Sequence, residues 1–320
     1  MIFVYVGRNT LMKLINELVE QERINNQFLV GSAAKGTNAM GSQYITCELR
    51  DSSGSISAKK WEVAPEDESI FVAGNVINVI GETLKYKEAL QIKILSASLV
   101  PNEEIEVSRF LKQPPVAKEE LITRFYRYVE SIKNKDCRAI LDNIIEKVSP
   151  NLFDHPAAVS IHHDYLSGLL MHTITMADIA TQLVPIYDAD YDMLITGILL
   201  HDMGKTVELE GPAIFKYSLE GKLIGHISIL SAMIKEAADE LKITSETPIL
   251  LQHMILSHHG QHEFGSPVLP LTKEAMLLSL IDNLDCKVVA LNKALETTKE
   301  GEFTNKIFSL DNRMFYNPKK

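Results

Sequence analysis

His172, His201, Asp202, His226, His258, His259 and Asp282 are nitrogen and oxygen ligands, and each lies beside a stretch whose apolar residues recur at helical spacing. Side chains on five separate helices can meet only inside a bundle, where inward-facing residues build a cavity. This series therefore predicts an all-α domain around them. His172 shares a helix with Leu166, Leu169, Leu170 and Ala177. His226 begins a helix through Ile229, Met233 and Ala237, and Thr247-Pro248 is a start signal for the helix that ends at His258-His259-Gly260. Asp282 belongs to the last core helix, with Asp285 one turn on. At the centre, Gly197–Lys205 (GILLHDMGK) puts a His-Asp pair at the end of an apolar run; if the helix continues, Ile198, His201, Asp202 and Lys205 share one face.

Imidazole and carboxylate together suit borderline or hard divalent ions, and the series contains no thiolate, so cysteine-held zinc is not expected. The Asp202 carboxylate can bridge two ions while histidines fill outer positions and a water becomes the nucleophile. Lys205 then stands where a phosphate oxygen needs a counter-charge. A lone histidine is more often a hydrogen-bonded core side chain than a ligand, and a lone His-Asp pair has little diagnostic value; the conjunction carries the reading. His162, His163, His253, His262 and Asp285 are expected to hydrogen-bond to ligands.

With 320 residues, 46% of them hydrophobic, the chain has enough core for two domains. Cys47, Cys137 and Cys286 lie far apart without CxxC spacing and are expected as reduced core thiols. A net charge of -10 argues against a protein that coats nucleic acid through a basic surface. No apolar run of membrane-spanning length and no signal-peptide pattern is read, so the expectation is a soluble, cytoplasmic protein without a membrane partner. The helical spacing of Leu14 and Leu18 begins at Met12, which is expected to be the translation start in place of Met1.

From about Gln27 the pattern becomes five short strand-like runs: QFLVGSAA, SQYITCELRD, GSISAKKWEV, VINVIGETLKY and ALQIKILSASLV. A turn at Asp51-Ser52-Ser53-Gly54 and the close spacing predict a small barrel, and LRDSSGSISAKKW resembles the strand pair of an OB-fold. Tyr44, Trp61, Tyr86, Lys59, Lys60, Lys85 and Lys87 are candidates to stack on bases and pair with phosphates. Against this, residues 25–100 hold seven Lys and Arg to eight Asp and Glu, and Trp61 also reads as a barrel-closing core residue. The expected organisation is an N-terminal helix or extension over 1–24, the barrel over 25–100, a linker over 101–118 containing Pro114-Pro115, the helical domain over 119–300 and a tail over 301–320. Leu121, Phe125 and Val129, then Ile140, Ile144 and Val148, mark two packing helices that open the helical domain. Ala213–Leu223 (AIFKYSLEGKL) reads as a hairpin turning at Glu220-Gly221, either over the mouth of the site or as a plain surface connection.

The order His172, His201-Asp202, His226, His258-His259, Asp282 resembles the HD phosphohydrolase superfamily. More narrowly, GLLMHTITMADIA, GILLHDMGK, EGKLIGHISI, LSHHGQHEFGSPVLP and SLIDNLDCKV resemble, in sequence and order, the YhaM family of 3'-5' exoribonucleases, which join an OB-fold to an HD domain. The resemblance runs from about Met12 over nearly the whole chain. It implies that His172, His201, Asp202 and Asp282 hold one metal and that His226, His258 and His259 complete a second around Asp202. It further implies hydrolysis of single-stranded RNA from its 3' end to nucleoside 5'-monophosphates, with Asp202 and Lys205 catalytic and the choice between RNA and single-stranded DNA left open. Manganese is the expected ion, before cobalt, iron or magnesium. The alternatives are a phosphohydrolase of mono- or cyclic nucleotides and a single-strand-binding factor. The aromatic tail, with Phe303, Phe308, Phe315 and Tyr316, is expected to dock on the domain or on a neighbouring copy in a homo-oligomer.

Overall fold

A computed structural model describes residues 12–38, 40–86, 89–110, 116–155, 167–210 and 216–319. The chain divides near residue 113 into two compact units.

The first unit is a closed five-stranded barrel: β1 (Arg23–Thr37), β2 (Gln43–Asp51), β3 (Gly54–Trp61), β4 (Val76–Tyr86) and β5 (Ala89–Leu99), in the order β1-β2-β3-β5-β4. Closure by β1 on β4, with β3 and β5 parallel, is the strand order of an OB-fold. Alternation explains why these runs become strands: Ile45, Cys47 and Leu49 on β2 and Ile56 and Ala58 on β3 point inward with Phe28, Ile77 and Ile92. Asp51 Oδ1 makes the β2–β3 turn by accepting from the backbone N–H of Ser53 (2.8 Å) and of Gly54 (3.2 Å). A short helix, α1 (Asp67–Ile70), enters the β3–β4 connection.

Two expectations fail at the edges of this unit. The segment from Met12 is no amphipathic helix: among the described residues ahead of β1, only Ile15–Glu17 make a 3-10 turn. The barrel supplies its bonds instead, Asp51 accepting from the Ile15 N–H (2.6 Å) and Asn26 donating to the Lys13 carbonyl (2.8 Å), while Leu18 joins the barrel core. Nor are residues 101–110 a free linker. Phe110 is buried with Leu29, Val76 and Val100, and Ser52 N–H donates to the Arg109 carbonyl (2.7 Å). Met1 and the Pro114-Pro115 pair lie outside the described residues.

The second unit is a helical bundle: α2 (Lys118–Ser131), α3 (Lys135–Leu152), α4 (Gly168–Tyr187), α5 (Tyr191–Leu200), α6 (Lys205–Glu208), α7 (Leu219–Leu223), α8 (His226–Glu240), α9 (Thr247–Ser257) and α10 (Lys273–Glu296). A two-stranded ribbon, β6 (Leu209–Glu210) with β7 (Lys216–Tyr217), follows α6. Leu121, Phe125 and Val129 bury one stripe of α2, and Ile140, Leu141 and Ile144 one stripe of α3, against Leu170, Ile174, Leu194 and Ile198. Helix α4 is long and apolar enough to cross a membrane by length and composition, but Leu169, Leu170, Ile174 and Ala177 on it belong to the bundle core.

Two local details differ from expectation. The Glu220-Gly221 turn is part of α7, because Ser218 caps a helix there by accepting from Gly221 N–H (2.8 Å). Thr247 and Pro248 are the first two helical residues of α9, with Glu246 as the cap. The tail docks on the helical unit, one of the two outcomes expected of it: it folds back through bridges between Phe303 and Tyr316 and between Ile307 and Arg313, its Phe308–Leu310 turn packs on α10 with Leu310 buried, and Phe303 and Phe308 stay exposed.

Candidate metal centre and strand-binding face

Helix α5 stops at Leu200, so His201, Asp202 and Lys205 do not continue one helix. The chain turns through bonds from Met203 N–H to Leu200 (2.8 Å) and from Lys205 N–H to Asp202 (2.9 Å). Gly204 permits the turn: a Cβ there would lie 2.3 Å from the His226 carbonyl oxygen. The turn presses the His-Asp pair against the start of α8 and still brings the Lys205 ammonium 2.6 Å from Asp202 Oδ2.

All seven expected ligands converge. Asp202 is the hub, and its two oxygens face different partners. Oδ2 lies 3.3 Å from His201 Nε2 and 4.0 Å from His172 Nε2; Oδ1 lies 3.5 Å from His226 Nε2 and 3.9 Å from His258 Nε2. Asp282 Oδ1 sits 3.3 Å from His172 Nε2. Ligand atoms of His172, His201 and Asp202 lie within 4.8 Å of one another, as do those of His226, His258 and His259. His172, His201, Asp202 and His258 are buried, while His226 and His259 are half-buried.

The outer nitrogen of each imidazole explains this orientation. Nδ1 meets an acceptor in every case: Asp285 for His172 (2.6 Å), the Ile198 carbonyl for His201 (2.7 Å), Glu208 for His226 (3.1 Å), the Ile255 carbonyl for His258 (2.6 Å) and the Phe264 carbonyl for His259 (2.7 Å). Carbonyl and carboxylate oxygens only accept, so Nδ1 carries a hydrogen and Nε2 points inward, with its lone pair in the neutral rings.

Charge and burial then act in opposition. Burial raises the carboxyl pKa of Asp202 and Asp282, but Lys205 and His201 around the first, and His172 beside the second, drive both well below the usual range. Burial disfavours a charged His172, yet Asp282 and Asp285 raise its pKa to about 9. Its proton also explains the 3.2 Å contact between His172 Nε2 and His201 Nε2, which two lone pairs could not make. Burial and the neighbouring His259 keep His258 neutral.

This donor set fits divalent ions. Asp202 Oδ1, His226 Nε2 and His258 Nε2 are buried side-chain atoms without a hydrogen-bond partner, an expensive arrangement that a cation between them would relieve. On the other side of Asp202, the Lys205 ammonium and the His172 proton occupy cation positions.

Two neighbours were not foreseen. Glu208 orients His226 through both its ring and its backbone N–H (3.1 Å each), and His226 holds the Glu208 pKa down against burial. Its signal was available in spacing, one turn beyond Lys205. Cys286, one turn beyond Asp282, donates to Asp282 Oδ1 (3.4 Å) and lies within ligand distance of His172 and Asp282; burial and Asp282 push its thiol pKa up. Of the expected supporting residues, Asp285 takes that part. His253 accepts instead from the Leu271 N–H (2.9 Å), and His262 Nδ1 bonds the Ser266 carbonyl (3.0 Å). His162 and His163 lie outside the described residues.

On the barrel, three of the seven candidate contact residues come together. Tyr44 and Trp61 are register partners on β2 and β3 with ring centroids 5.4 Å apart, and the Lys59 ammonium lies 3.9 and 4.0 Å from their centres. Trp61 is 41% exposed, which excludes the core-closing reading. Gly36 opposite Tyr44 makes room for the ring, since a Cβ there would be 2.4 Å from it. Lys60 does not join them. It faces the other way, half-buried, donating to the Trp61 carbonyl (3.2 Å) and lying 3.8 Å from Asp67. Lys85 and Tyr86 pair with Leu90 and Ala89, further back along β5 than the Lys59–Lys93 rung, and Lys87 lies outside the described residues.

Comparison with known proteins adds three findings. The HD domain family matches residues 169–286, which contain all seven candidate ligands. The 3'-5' exoribonuclease YhaM of Geobacillus sp. (strain WCH70) is 41% identical over 299 residues, 93% of this chain and 92% of that protein. Among solved structures, the second OB-fold domain of replication protein A from Methanococcus maripaludis is 18% identical, covering 28% of this chain and 93% of that one, with a TM-score of 0.24. PriB from Ralstonia solanacearum is 16% identical over 24% of this chain and 97% of its own, with a TM-score of 0.21.

Proposed function

The chain belongs to the YhaM family of 3'-5' exoribonucleases, and from that premise we propose how its own residues carry out the reaction. It is a metal-dependent hydrolase with an HD domain, and it acts on single-stranded nucleic acid. The finer reading is removal of nucleoside 5'-monophosphates from the 3' end of RNA, with manganese as the ion of choice.

His172, His201, Asp202 and Asp282 would hold one ion, and His226, His258 and His259 with Asp202 a second. Bound there, divalent ions supply Lewis acidity that activates water and neutralises phosphate charge. The chain does the rest. Five Nδ1–H bonds lock the imidazoles with Nε2 inward before substrate arrives, so no reorganisation is needed on binding. Lys205, its ammonium 2.6 Å from Asp202 Oδ2 at the edge of the centre, would offer its charge to a non-bridging phosphate oxygen. Tyr44 and Trp61 offer ring faces to unpaired bases, and Lys59 between them offers its charge to the backbone. Base stacking of this kind tolerates any sequence, as a degrading enzyme requires.

The observation that carries the metal reading is the trio of unpartnered buried atoms, Asp202 Oδ1, His226 Nε2 and His258 Nε2. To test the function, metal-stripped protein is incubated with 5'-labelled single-stranded RNA, with and without manganese, beside matched DNA and a cyclic dinucleotide. A manganese-dependent ladder shortening from the 3' end is expected. Intact RNA with turnover of the cyclic dinucleotide would move the protein to small-nucleotide hydrolysis.

A further inference from the structure

The face of α10 turned away from the metal centre carries Met276, Leu280, Leu284 and Val288 at four-residue spacing, 45%, 57%, 49% and 44% exposed. The opposite face buries Leu278, Ile281, Asp282 and Asp285. An apolar groove of about 410 Å³ runs between this stripe and the end of α4: Met276, Leu280 and Leu284 of the stripe line it, with Leu183 and Tyr187 of α4 and with Leu277 and Ile281. Lys273 is the single charged lining residue, and its ammonium is bonded to the Asp188 carbonyl (2.5 Å). Ile186 and Tyr187 extend the exposed apolar surface at the α4 terminus.

We propose that this face is a twofold interface between two copies of the chain. A ridge and a groove side by side on one surface are self-complementary: a twofold axis lays each ridge into the partner's groove. Four residues at i, i+4, i+8 and i+12 form the row that interdigitates with an identical row in the commonest class of helix packing. The patch exposes on the order of 600 Å² of apolar surface, the upper end for a monomer. Doubled across an axis it comes to roughly 1,200 Å², where stable interfaces begin. Near-absence of charge at its centre is also the composition of an interface core. The contact braces the helix that holds Asp282 and Asp285, so dimerisation and metal-site stability are linked through α10.

The test is the mass of the full chain in solution, by light scattering after size exclusion, from nanomolar to tens of micromolar protein. The native chain is expected at twice its 35.8 kDa, and the double variant Leu280→Glu, Leu284→Glu at half the native mass. Both positions face solvent in the single chain, and unchanged circular dichroism checks that the variant folds. In an otherwise native background, Leu280→Cys with Leu284→Cys is expected to give a covalent dimer on mild oxidation. A native chain that stays monomeric overturns the proposal and leaves the stripe to a different protein. An assembly whose mass the two glutamates do not change overturns it as well, by locating the contact elsewhere.

Discussion

The candidate metal centre and the candidate strand-binding face of the barrel rest on the same kind of residue pattern, yet all seven candidate ligands meet in one and three of six described candidates meet in the other. The difference lies in what each residue must satisfy. Buried imidazoles and carboxylates need partners, so placing them inside a bundle leaves few arrangements other than a shared centre. An exposed lysine or tyrosine satisfies itself with water wherever its strand leaves it, so its location follows register and strand order. Lys59 and Trp61 share an outward face of β3, while Lys60 between them turns inward to Asp67.

Four experiments break or sharpen this contrast. The largest effect is expected at the hub. Asp202→Ala should abolish RNA hydrolysis while leaving single-strand affinity, measured by fluorescence anisotropy, within about twofold, since the substitution in the helical unit leaves the Tyr44–Lys59–Trp61 cluster of the barrel intact; a variant that still degrades RNA would remove Asp202 from the reaction.

Next come the residues behind the ligands. Asp285→Asn and Glu208→Gln are each expected to weaken metal binding by about 10- to 100-fold. Isothermal titration with manganese reads this directly, and unchanged affinity would make both contacts merely structural.

On the barrel, Trp61→Ala is expected to cost about 1–3 kcal/mol of single-strand affinity. Lys60→Ala, already engaged with Asp67, is expected to cost under about 0.5 kcal/mol. Anisotropy on one oligonucleotide compares them, and equal losses would mean that the Tyr44–Lys59–Trp61 cluster is not the contact face. Gly36→Val should reproduce the tryptophan variant by displacing Tyr44.

The smallest effect concerns pH. With Asp282 and Asp285 raising the His172 pKa to about 9, above its ordinary value of about 6.5, the charged ring stabilises the metal-free fold fully below the unfolded pKa. That contribution is lost as pH rises through the folded one. The chelator-treated protein should therefore lose melting temperature between about pH 6.5 and 9, and Asp285→Asn should flatten the loss. A variant with the native slope would separate the trend from His172.

Much of this was legible beforehand. The five strand runs lie within or at the edges of the observed strands because inward Ile45, Cys47 and Leu49 alternate with outward neighbours. The helices of the bundle follow from stripes such as Leu121, Phe125 and Val129. Segments whose hydrogen bonds come from elsewhere were misread. Helical spacing of Leu14 and Leu18 gave way to bonds offered by Asp51 and Asn26, and the expected linker to the burial of Phe110. Period-two alternation would have separated Lys60 from Lys59 and Trp61, but nothing local announced that β3 runs beside β5 rather than β4.

Residue type and order by themselves determined which side chains form the centre, because burial leaves a His or Asp few choices. Only the tertiary structure decided how each is held: that the helix breaks after Leu200, and that Glu208 and Asp285 take the outer nitrogens of His226 and His172. Those pairings join residues as far as 113 positions apart. Such distances are set by how helices pack, and no local sequence pattern records them.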